Sequence, residues 1–274
     1  MLLAQISDLH IKQPGALAYR RVDTAACLAR TIARLNALVP RPDAVIVTGD
    51  LVDRGTADEY RHLKTLLATL EVPYWLLIGN HDGREALREV FPERAELRAG
   101  GEFVQYAVDI GEVRLIALDS MEHASAGTLC EKRLAWLATQ LDAARGRAVI
   151  VALHHPPFDC GIGHMDAIRL DAQASGAMAA LIAQHPNVER VICGHVHRPM
   201  FVRFGGTIAS AAPSPAHQVT LDLADDAPST FTLEPPAFAL HRYDPRSGVV
   251  THHAYVDDSK GPYPFHEPTG DLIP

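Results

Sequence analysis

Five short apolar runs of this chain each stop at a compact group of polar residues. The clearest run covers residues 44–48, is rich in β-branched side chains, and leads through Gly49 into Asp50. Short runs of this kind are typical of buried strands, and the carboxyl ends of parallel strands meet at one edge of a sheet. The pattern therefore predicts an α/β fold in which the polar groups gather in a single crevice around Asp50.

The spacing of apolar residues and the proline and glycine content divide the 274 residues into three parts. Residues 1–198 alternate apolar runs with helical spacing, as at 22–38, at 131–144 and from about 176 to 184. A hairpin of two strands, 103–108 and 113–118, brings in antiparallel pairing. Residues 199–256 are rich in short strands and proline, and they predict a small β-rich appendage. Residues 257–274, with several prolines and glycines, predict an irregular tail.

Composition narrows the class of protein. The formal net charge of −8 argues against a protein that binds a nucleic-acid polymer through its backbone. No run of about 20 apolar residues, no leader segment and no paired cysteine spacing is visible, so we expect a cytoplasmic protein without a membrane partner. The count that stands out is 15 histidines, several of them beside carboxylates, and imidazole is the commonest nitrogen ligand of transition metals.

The polar groups form a plausible metal-ligand set. Asp8 and His10 alternate by two along a segment expected to be extended, so both side chains would lie on one side, and His195 and His197 repeat that spacing after Gly194. The seven candidate ligands are Asp8, His10, Asp50, Asn80, His154, His195 and His197. Nitrogen and oxygen donors without a thiolate suit Mn, Fe, Co or Zn. Two divalent ions sharing Asp50 would leave a positively charged centre able to attract a phosphate ester.

Each group also has an ordinary structural explanation. Asp8 and His10 could form a surface or hydrogen-bonded pair, Asp50 could cap the next helix, and Asn80 could be a turn residue. The prolines after His154 could simply end a strand. Because five strand ends carry ligand-type residues at once, we favour the metal site.

These residues resemble the motif series of the calcineurin-like metallophosphoesterases. The matching segments are Asp8-Leu9-His10, Gly49-Asp50, Gly79-Asn80-His81-Asp82, His154-His155-Pro156-Pro157 and Gly194-His195-Val196-His197. Within that superfamily the chain resembles the bacterial class III cyclic-nucleotide phosphodiesterases and, most closely, the bacterial glycerophosphodiesterases. The latter resemblance continues through residues 35–38, 41–45, 165–166 and 217–219.

The resemblance implies a four-layered αββα sandwich with two mixed sheets and a dinuclear centre. Asp8, His10 and His197 would hold the first metal. Asn80, His154 and His195 would hold the second, and Asp50 would bridge them. The resemblance further implies that the β-rich part is a dimerisation region, and that the protein is a homodimer or higher homo-oligomer.

It also assigns roles around the metals. His81 would lie over the phosphate and donate a hydrogen bond or assist the leaving group, whereas His217 would reach into the same cavity and His155 would support the ligands. Residues 50–55 resemble the serine/threonine protein phosphatases as well, but Asp82 and Ile11 depart from their pattern, which we interpret as shared ancestry. Asp53 and Arg54 are expected to form a loop ion pair or a helix entry, with Arg54 reaching substrate as the alternative.

Other residues carry weaker signals. Cys193 is expected to face the core. The pocket-lining candidates are His123, Phe158, His164 and Met165.

The predicted function is a dinuclear metal-dependent phosphodiesterase that hydrolyses small diesters of the glycerophosphodiester type. A metal-bound hydroxide would attack in line, with Asp50, Asn80 and His81 in the catalytic machinery and His217, Asn80 and His81 binding substrate. The alternatives are a 3′,5′-cyclic-nucleotide phosphodiesterase, a phosphomonoesterase or protein phosphatase, and a non-catalytic metal or nucleotide sensor.

Overall fold

A computed structural model describes residues 1–122 and 125–274. In chain order its helices are α1 (Thr24–Asn36), α2 (Ala57–Leu67), α3 (Arg84–Val90), α4 (Glu96–Ala99), α5 (Glu131–Ala143), α6 (Gly163–Asp166) and α7 (Ala172–Ala183). Its strands are β1 (Leu2–Ile6), β2 (Ala44–Thr48), β3 (Tyr74–Leu77), β4 (Tyr106–Ile110), β5 (Val113–Ala117), β6 (Ala148–Ala152), β7 (Val188–Cys193), β8 (Met200–Phe204), β9 (Thr207–Ala211), β10 (Gln218–Val219), β11 (Phe231–Thr232), β12 (Ala237–Asp244) and β13 (Gly248–Tyr255).

Two mixed sheets contain eleven of these strands. The first has the order β13-β12-β1-β2-β3, and its β1, β2 and β3 run parallel. The second has the order β4-β5-β6-β7-β9-β8, with β5, β6, β7 and β9 parallel. The carboxyl ends of β1, β2, β3, β6 and β7 therefore carry the five polar groups that the sequence singled out.

Alternating side chains of the central strands build the layers. Ile46 of β2 and Ile150 of β6 belong to one buried cluster between the sheets. Val47 points the other way, into a cluster with side chains of α1 and α2, while Val151 joins a cluster with α5 and α7. Since side chains alternate across a strand, helix, sheet, sheet and helix follow one another, and the predicted αββα sandwich is confirmed.

Local capping decides where several helices begin. The hydroxyl of Thr56 accepts from the backbone N–H of Glu59, whose carboxylate accepts from that of Thr56, a capping box that starts α2. Asp171 accepts from the N–H of Ala174 and starts α7 at residue 172. The sequence predicted that helix from about residue 176, and this boundary was wrong because Asp171 was not recognised as the cap.

Strands after residue 198 complete the two sheets. β9 pairs in parallel with β7, and β12 pairs antiparallel with β1. The sequence predicted residues 199–256 as an appendage, but β8, β9, β12 and β13 are integral to the sandwich. β9 and β12 cover the edges of β7 and β1, and β8 and β13 pair in turn with β9 and β12. Only the β10–β11 ribbon lies outside both sheets among the described residues. A dimerisation role for 199–256 stays a prediction.

The tail from residue 257 onward is exposed at every position. Within the described ranges, no helix combines the length and the apolar character that a bilayer span needs.

Candidate metal centre

Seven polar side chains converge where the carboxyl edges of the two sheets meet. Four come from the first sheet and three from the second, and they are Asp8, His10, Asp50, Asn80, His154, His195 and His197. All are buried except Asn80, which is partly exposed. The structure thus brings together the whole predicted ligand set, and an isolated group of buried carboxylates and imidazoles requires compensation by hydrogen bonds or by a cation.

Strained backbone holds five of these residues. Their φ angles are 58° at Asp8, 45° at His10, 46° at Asp50, 72° at His195 and 58° at His197. Left-handed conformations of non-glycine residues cost on the order of 1–3 kcal/mol each and cluster at functional sites. The extended geometry expected for Asp8 and His10 was therefore wrong: their N–H groups donate to the carbonyls of Gly49 and Asp50 at 3.0 and 2.9 Å, which turns the backbone.

Two glycines let the loops approach closely. A Cβ at Gly79 would collide with the Asp50 carboxylate, and one at Gly194 would collide with the Ser7 hydroxyl and lie 2.9 Å from Asp8 Oδ2. Neither position therefore tolerates a side chain without displacing a candidate ligand.

One half of the cluster surrounds His10. Its Nε2 lies 3.3 Å from His197 Nε2 and 3.6 Å from Asp50 Oδ2, and His197 Nε2 lies 3.5 Å from Asp8 Oδ1. These four side chains offer one donor atom each within 4.8 Å of one another. Ligand atoms that share an ion at ~2.1 Å lie ~3–3.4 Å apart, so the spacing is close to that of a coordination shell.

The other half surrounds His154. Its Nε2 lies 3.4 Å from Asp50 Oδ2, 3.2 Å from Asn80 Oδ1 and 3.2 Å from His195 Nδ1. Asp50 Oδ2 thus lies near the central histidine of both halves.

Hydrogen bonds outside the cluster orient two imidazoles. His154 Nδ1–H donates to the carbonyl of Thr48 at 2.8 Å, and His197 Nδ1–H donates to the carbonyl of His217 at 2.9 Å. Because a carbonyl only accepts, each ring turns its Nε2 toward the cluster. This is the support that metal-ligating histidines usually receive.

The buried groups of the cluster shift one another's pKa values. Burial lowers the pKa of His154 while the adjacent Asp50 carboxylate raises it, and the pKa settles at about 9. A protonated His154 would balance the charge of the Asp50 carboxylate, and a divalent cation bound between the two side chains would do the same. Burial also raises the pKa of the Asp8 carboxyl to about 7 and lowers that of His10 well below its usual value. Neutral imidazoles together with carboxylates are the ligands that divalent transition metals take, so the residues fit such ions.

Three further histidines border the cluster: His155 lies beside His154 and His195, His217 lies beside His10 and His197, and His81 lies beside His10. His155 bonds through both ring nitrogens, to Ser120 Oγ at 2.8 Å and to the carbonyl of Ser125 at 3.0 Å. It therefore has no nitrogen free for a metal, in agreement with the supporting role predicted for it.

His81 and His217 lie on the open side. The backbone N–H of His81 donates to Asp50 Oδ1 at 2.9 Å, and its Nδ1–H donates to the carbonyl of Asp53 at 2.8 Å. Burial alone would lower the pKa of His81, but Asp50 and the Asp53 carbonyl raise it above the usual value. The His217 ring centre lies 4.6 Å from that of His197, and burial lowers its pKa to about 3, so it is neutral.

A cavity of about 430 Å³ opens onto the cluster. Of the pocket candidates His164 and Met165 line it, whereas Phe158 packs against the core beside the second sheet, and His123 lies outside the described residues. The sequence did not single out seven of the lining residues: Tyr19, Ser125, Ile168, Val219, Ser229, Thr230 and Phe231. They occur in loops and a short ribbon without a recognisable motif, and only the family resemblance of residues 217–219 pointed toward this wall.

The residues after Asp50 form the expected loop ion pairs. Asp53 contacts the ammonium of Lys12 closely and lies 4.0 Å from Arg54 Nε. The Arg54 side chain is 77% exposed and does not line the cavity. Cys193 is buried in the core, as predicted.

Comparison with known proteins agrees with this geometry. Residues 1–199 match the calcineurin-like phosphoesterase family. The chain is 39% identical to a probable glycerophosphodiester phosphodiesterase of Arcobacter nitrofigilis over the full length of both proteins. It is 30% identical to a 3′,5′-cyclic adenosine monophosphate phosphodiesterase of Pseudomonas aeruginosa, over 94% of this chain and 91% of the relative. A dimetal phosphatase from Danio rerio has the same fold, with a TM-score of 0.64 at 16% identity, over 92% of this chain and 98% of that one.

The sandwich and its histidine–carboxylate cluster define a phosphoesterase that uses divalent metals. The chain belongs to the calcineurin-like phosphoesterase family.

Proposed function

We propose that this protein is a dinuclear metal-dependent phosphodiesterase that hydrolyses small diesters of the glycerophosphodiester type. The observation that carries the proposal is the position of Asp50 Oδ2, 3.6 Å from His10 Nε2 and 3.4 Å from His154 Nε2. A carboxylate placed between two complete ligand groups is suited to bridging two ions, and two-metal sites of this kind act on phosphoesters.

The proposed ligand assignment follows the two halves of the cluster. Asp8, His10 and His197 would hold one ion, Asn80, His154 and His195 would hold the other, and Asp50 would be shared by both. The donor set suits Fe, Mn, Co or Zn. When bound, such ions polarise the phosphoryl group and lower the pKa of water, which provides a nucleophile at neutral pH.

The chain's own residues position the ester and handle the leaving group. Asp53 fixes the His81 ring through Nδ1, which leaves Nε2 for the phosphate or the departing oxygen. Because its pKa is raised, His81 retains a proton more readily than an ordinary histidine. His217 is neutral and packs against both His10 and His197, so it borders the substrate phosphate without repelling the ions.

The size and lining of the cavity favour a small diester. Its volume of about 430 Å³ holds a compact ligand, and no lysine or arginine is among the described residues that line it. A polynucleotide would require a cationic track. Relatives similar over the whole chain are named as glycerophosphodiester phosphodiesterases, one of them 32% identical, from Enterobacter lignolyticus.

The second candidate substrate is a 3′,5′-cyclic nucleotide. The similar Pseudomonas aeruginosa enzyme is named for that reaction, and Tyr19 and Phe231 provide aromatic surface beside the centre, with ring centres 5.0 Å apart. A phosphomonoester is less well matched, because the lining offers no additional cation for a dianionic phosphate.

The cytoplasm remains the proposed compartment. All four cysteines are free thiols in the structure, as expected in a reducing environment.

The decisive experiment compares bis(p-nitrophenyl) phosphate with p-nitrophenyl phosphate after metal removal and readdition of Mn, Co, Fe(II) or Zn. Metal-restored activity with faster diester turnover supports the proposal. Faster monoester turnover would assign the protein to the phosphomonoesterases, and inactivity with every metal would point to a binding protein. Glycerophosphodiesters and cyclic nucleotides are then compared by kcat/KM.

A further inference from the structure

One wall of the cavity belongs to neither sheet. The β10–β11 ribbon and its connection, residues 217–232, form a separate two-stranded unit in which Val219 pairs with Phe231. This pocket ribbon supplies five of the lining residues, namely His217, Val219, Ser229, Thr230 and Phe231. The family match ends at residue 199, so this wall lies outside the part of the chain that defines the family.

The ribbon presents an aromatic face to the cavity. Phe231 lies with its ring centre 5.0 Å from that of Tyr19 and 5.5 Å from that of His217. Its neighbours on the ribbon include Val219, so the wall combines apolar and aromatic surface. Such surface interacts with the organic group of an ester and adds little charge stabilisation for the phosphate.

An ion pair attaches this ribbon to the metal-ligand segment. Arg198, the residue after His197, donates to Glu234 Oε1 at 2.7 Å and to Oε2 at 3.0 Å, and also to the carbonyl of Val219 at 2.8 Å. The Arg198 side chain is 12% exposed, and a bidentate pair of this kind is directional as well as attractive. The N–H of Glu234, two residues after β11, donates to Gln218 Oε1 of β10 at 2.8 Å, which joins the pair to the first strand of the ribbon.

The base of the ribbon has an independent attachment. The carbonyl of His217 accepts from His197 Nδ1–H at 2.9 Å, so His217 stays in place when the ion pair is lost. The portion that depends on Arg198 and Glu234 is the distal wall around Val219 and Phe231. Loss of the pair should thus alter contacts with the organic group and leave the ligand cluster intact.

We propose that the pocket ribbon determines which ester groups this enzyme accepts, and that the Arg198–Glu234 pair is the positioning contact that holds its wall in place. This inference rests on the proposed phosphodiesterase function. It assigns metal chemistry to residues 1–199 and ester-group selection to residues 217–232.

The test uses two substrates with the same leaving group. Both bis(p-nitrophenyl) phosphate and methyl p-nitrophenyl phosphate release p-nitrophenolate, so their kcat/KM ratio reports the second ester group. Phe231→Ala should lower the aryl-to-methyl ratio about tenfold, since an aromatic contact of about 1.4 kcal/mol corresponds to a factor of ten. Metal content should match that of the wild type.

Glu234→Ala tests the positioning contact. We expect the aryl-to-methyl kcat/KM ratio to fall by about threefold, mainly through a change in KM. Amide hydrogen exchange should become faster in residues 218–232 and stay unchanged in β7. Glu234→Gln keeps an acceptor for Arg198, so its aryl-to-methyl kcat/KM ratio should lie closer to that of the wild type. The matched control is Glu71→Ala, which breaks an exposed pair with Arg41, 2.8 Å long and remote from the cavity.

The possible results are distinct. An unchanged ratio in an active, metal-loaded Phe231→Ala enzyme would overturn the role of the ribbon. If Glu234→Ala changed neither the kcat/KM ratio nor the amide hydrogen exchange of residues 218–232, the role of the ion pair would be overturned. If the wild type with metals hydrolyses neither diester, the proposed function itself fails.

Discussion

The hydroxyl of Tyr60 donates a hydrogen bond of 2.8 Å to the buried carboxylate of Asp82. The same carboxylate accepts from three backbone N–H groups, those of Leu51 and Val52 after Asp50 and that of Gly79 before Asn80, at 3.1, 3.3 and 2.8 Å. Asp82 thus ties together the two loops that carry the proposed bridging ligand and the amide ligand.

Asp82→Asn should weaken both the fold and the metal site. An amide has one acceptor oxygen, so donors on one side of the side chain lose their partner, at a cost of about 1–3 kcal/mol for each unsatisfied buried group. We expect the free energy of unfolding, measured in denaturant with a chelator present, to fall by ~2–4 kcal/mol. In the folded variant the affinity for added Mn should fall at least tenfold.

Tyr60→Phe is the control for this prediction. It removes the hydroxyl, which also accepts from the N–H of Gly83 at 2.9 Å, but it leaves all three backbone bonds to Asp82. A loss of about 1–3 kcal/mol with nearly unchanged metal affinity is therefore expected. Equal metal affinity in Asp82→Asn and the wild type would contradict the role of Asp82 in placing the loops.

Asp50→Ala should remove nearly all metal and activity, because it deletes the carboxylate shared by both halves of the cluster. Metal analysis after gel filtration measures the occupancy. Asp142→Ala is a suitable comparison, since Asp142 is an exposed partner of Arg145 and does not line the cavity. Retention of two ions per chain in Asp50→Ala would refute the bridging assignment.

His81→Ala should keep the metals and lower kcat. Its ring is held by the Asp53 carbonyl and lines the cavity, and loss of a general acid typically costs 10²–10⁴-fold in rate, so a decrease of that order is expected. The effect should be smaller for aryl esters than for alkyl esters, because a good leaving group needs less protonation. Loss of metal from this variant would mean that His81 is a ligand.

His241 should make stability depend on pH. It is fully buried between Gln5 Oε1 and Thr251 Oγ1, each 2.9 Å from a ring nitrogen, and burial lowers its pKa to about 3. The unfolded state, with a pKa near 6.5, therefore binds the proton more readily. The stabilisation is complete above pH 6.5 and is lost as the pH falls toward 3, with about 1.4 kcal/mol gone at pH 5.5.

Denaturant unfolding measures the contribution of His241 to the free energy of unfolding. The wild type and His241→Gln are compared between pH 5.5 and 7.5 with a chelator present. The variant should show a shallower dependence of the free energy of unfolding on pH. The exposed His252→Gln controls for the number of histidines. Parallel curves for the wild type and His241→Gln would rule out His241 as a source of the pH dependence.

Much of the sandwich was predictable because its central strands are local patterns. The run at 44–48 is strand β2, and helix α1 lies within the predicted 22–38. Boundaries were less accurate where a neighbour decides them. The first strand of the hairpin, predicted at 103–108, is β4 (Tyr106–Ile110), since its pairing with β5 sets the register.

The candidate ligands were predictable for a similar reason. Each follows an apolar run, and parallel strands must place their carboxyl ends at one edge. The conformation of Asp8 and His10 was not predictable, because bonds from the loop after β2 turn their backbone away from the extended form.

The sequence by itself determined the α/β class, the strand ends that carry chemistry and the identity of the seven candidate ligands. Those features depend on residue type and short-range periodicity. Tertiary structure alone decided that β12 and β9 complete the sheets, that Asp50 lies between two histidine groups, and that Phe231 faces the cavity. Such contacts join residues far apart in the chain, and their geometry arises only when the two sheets pack together.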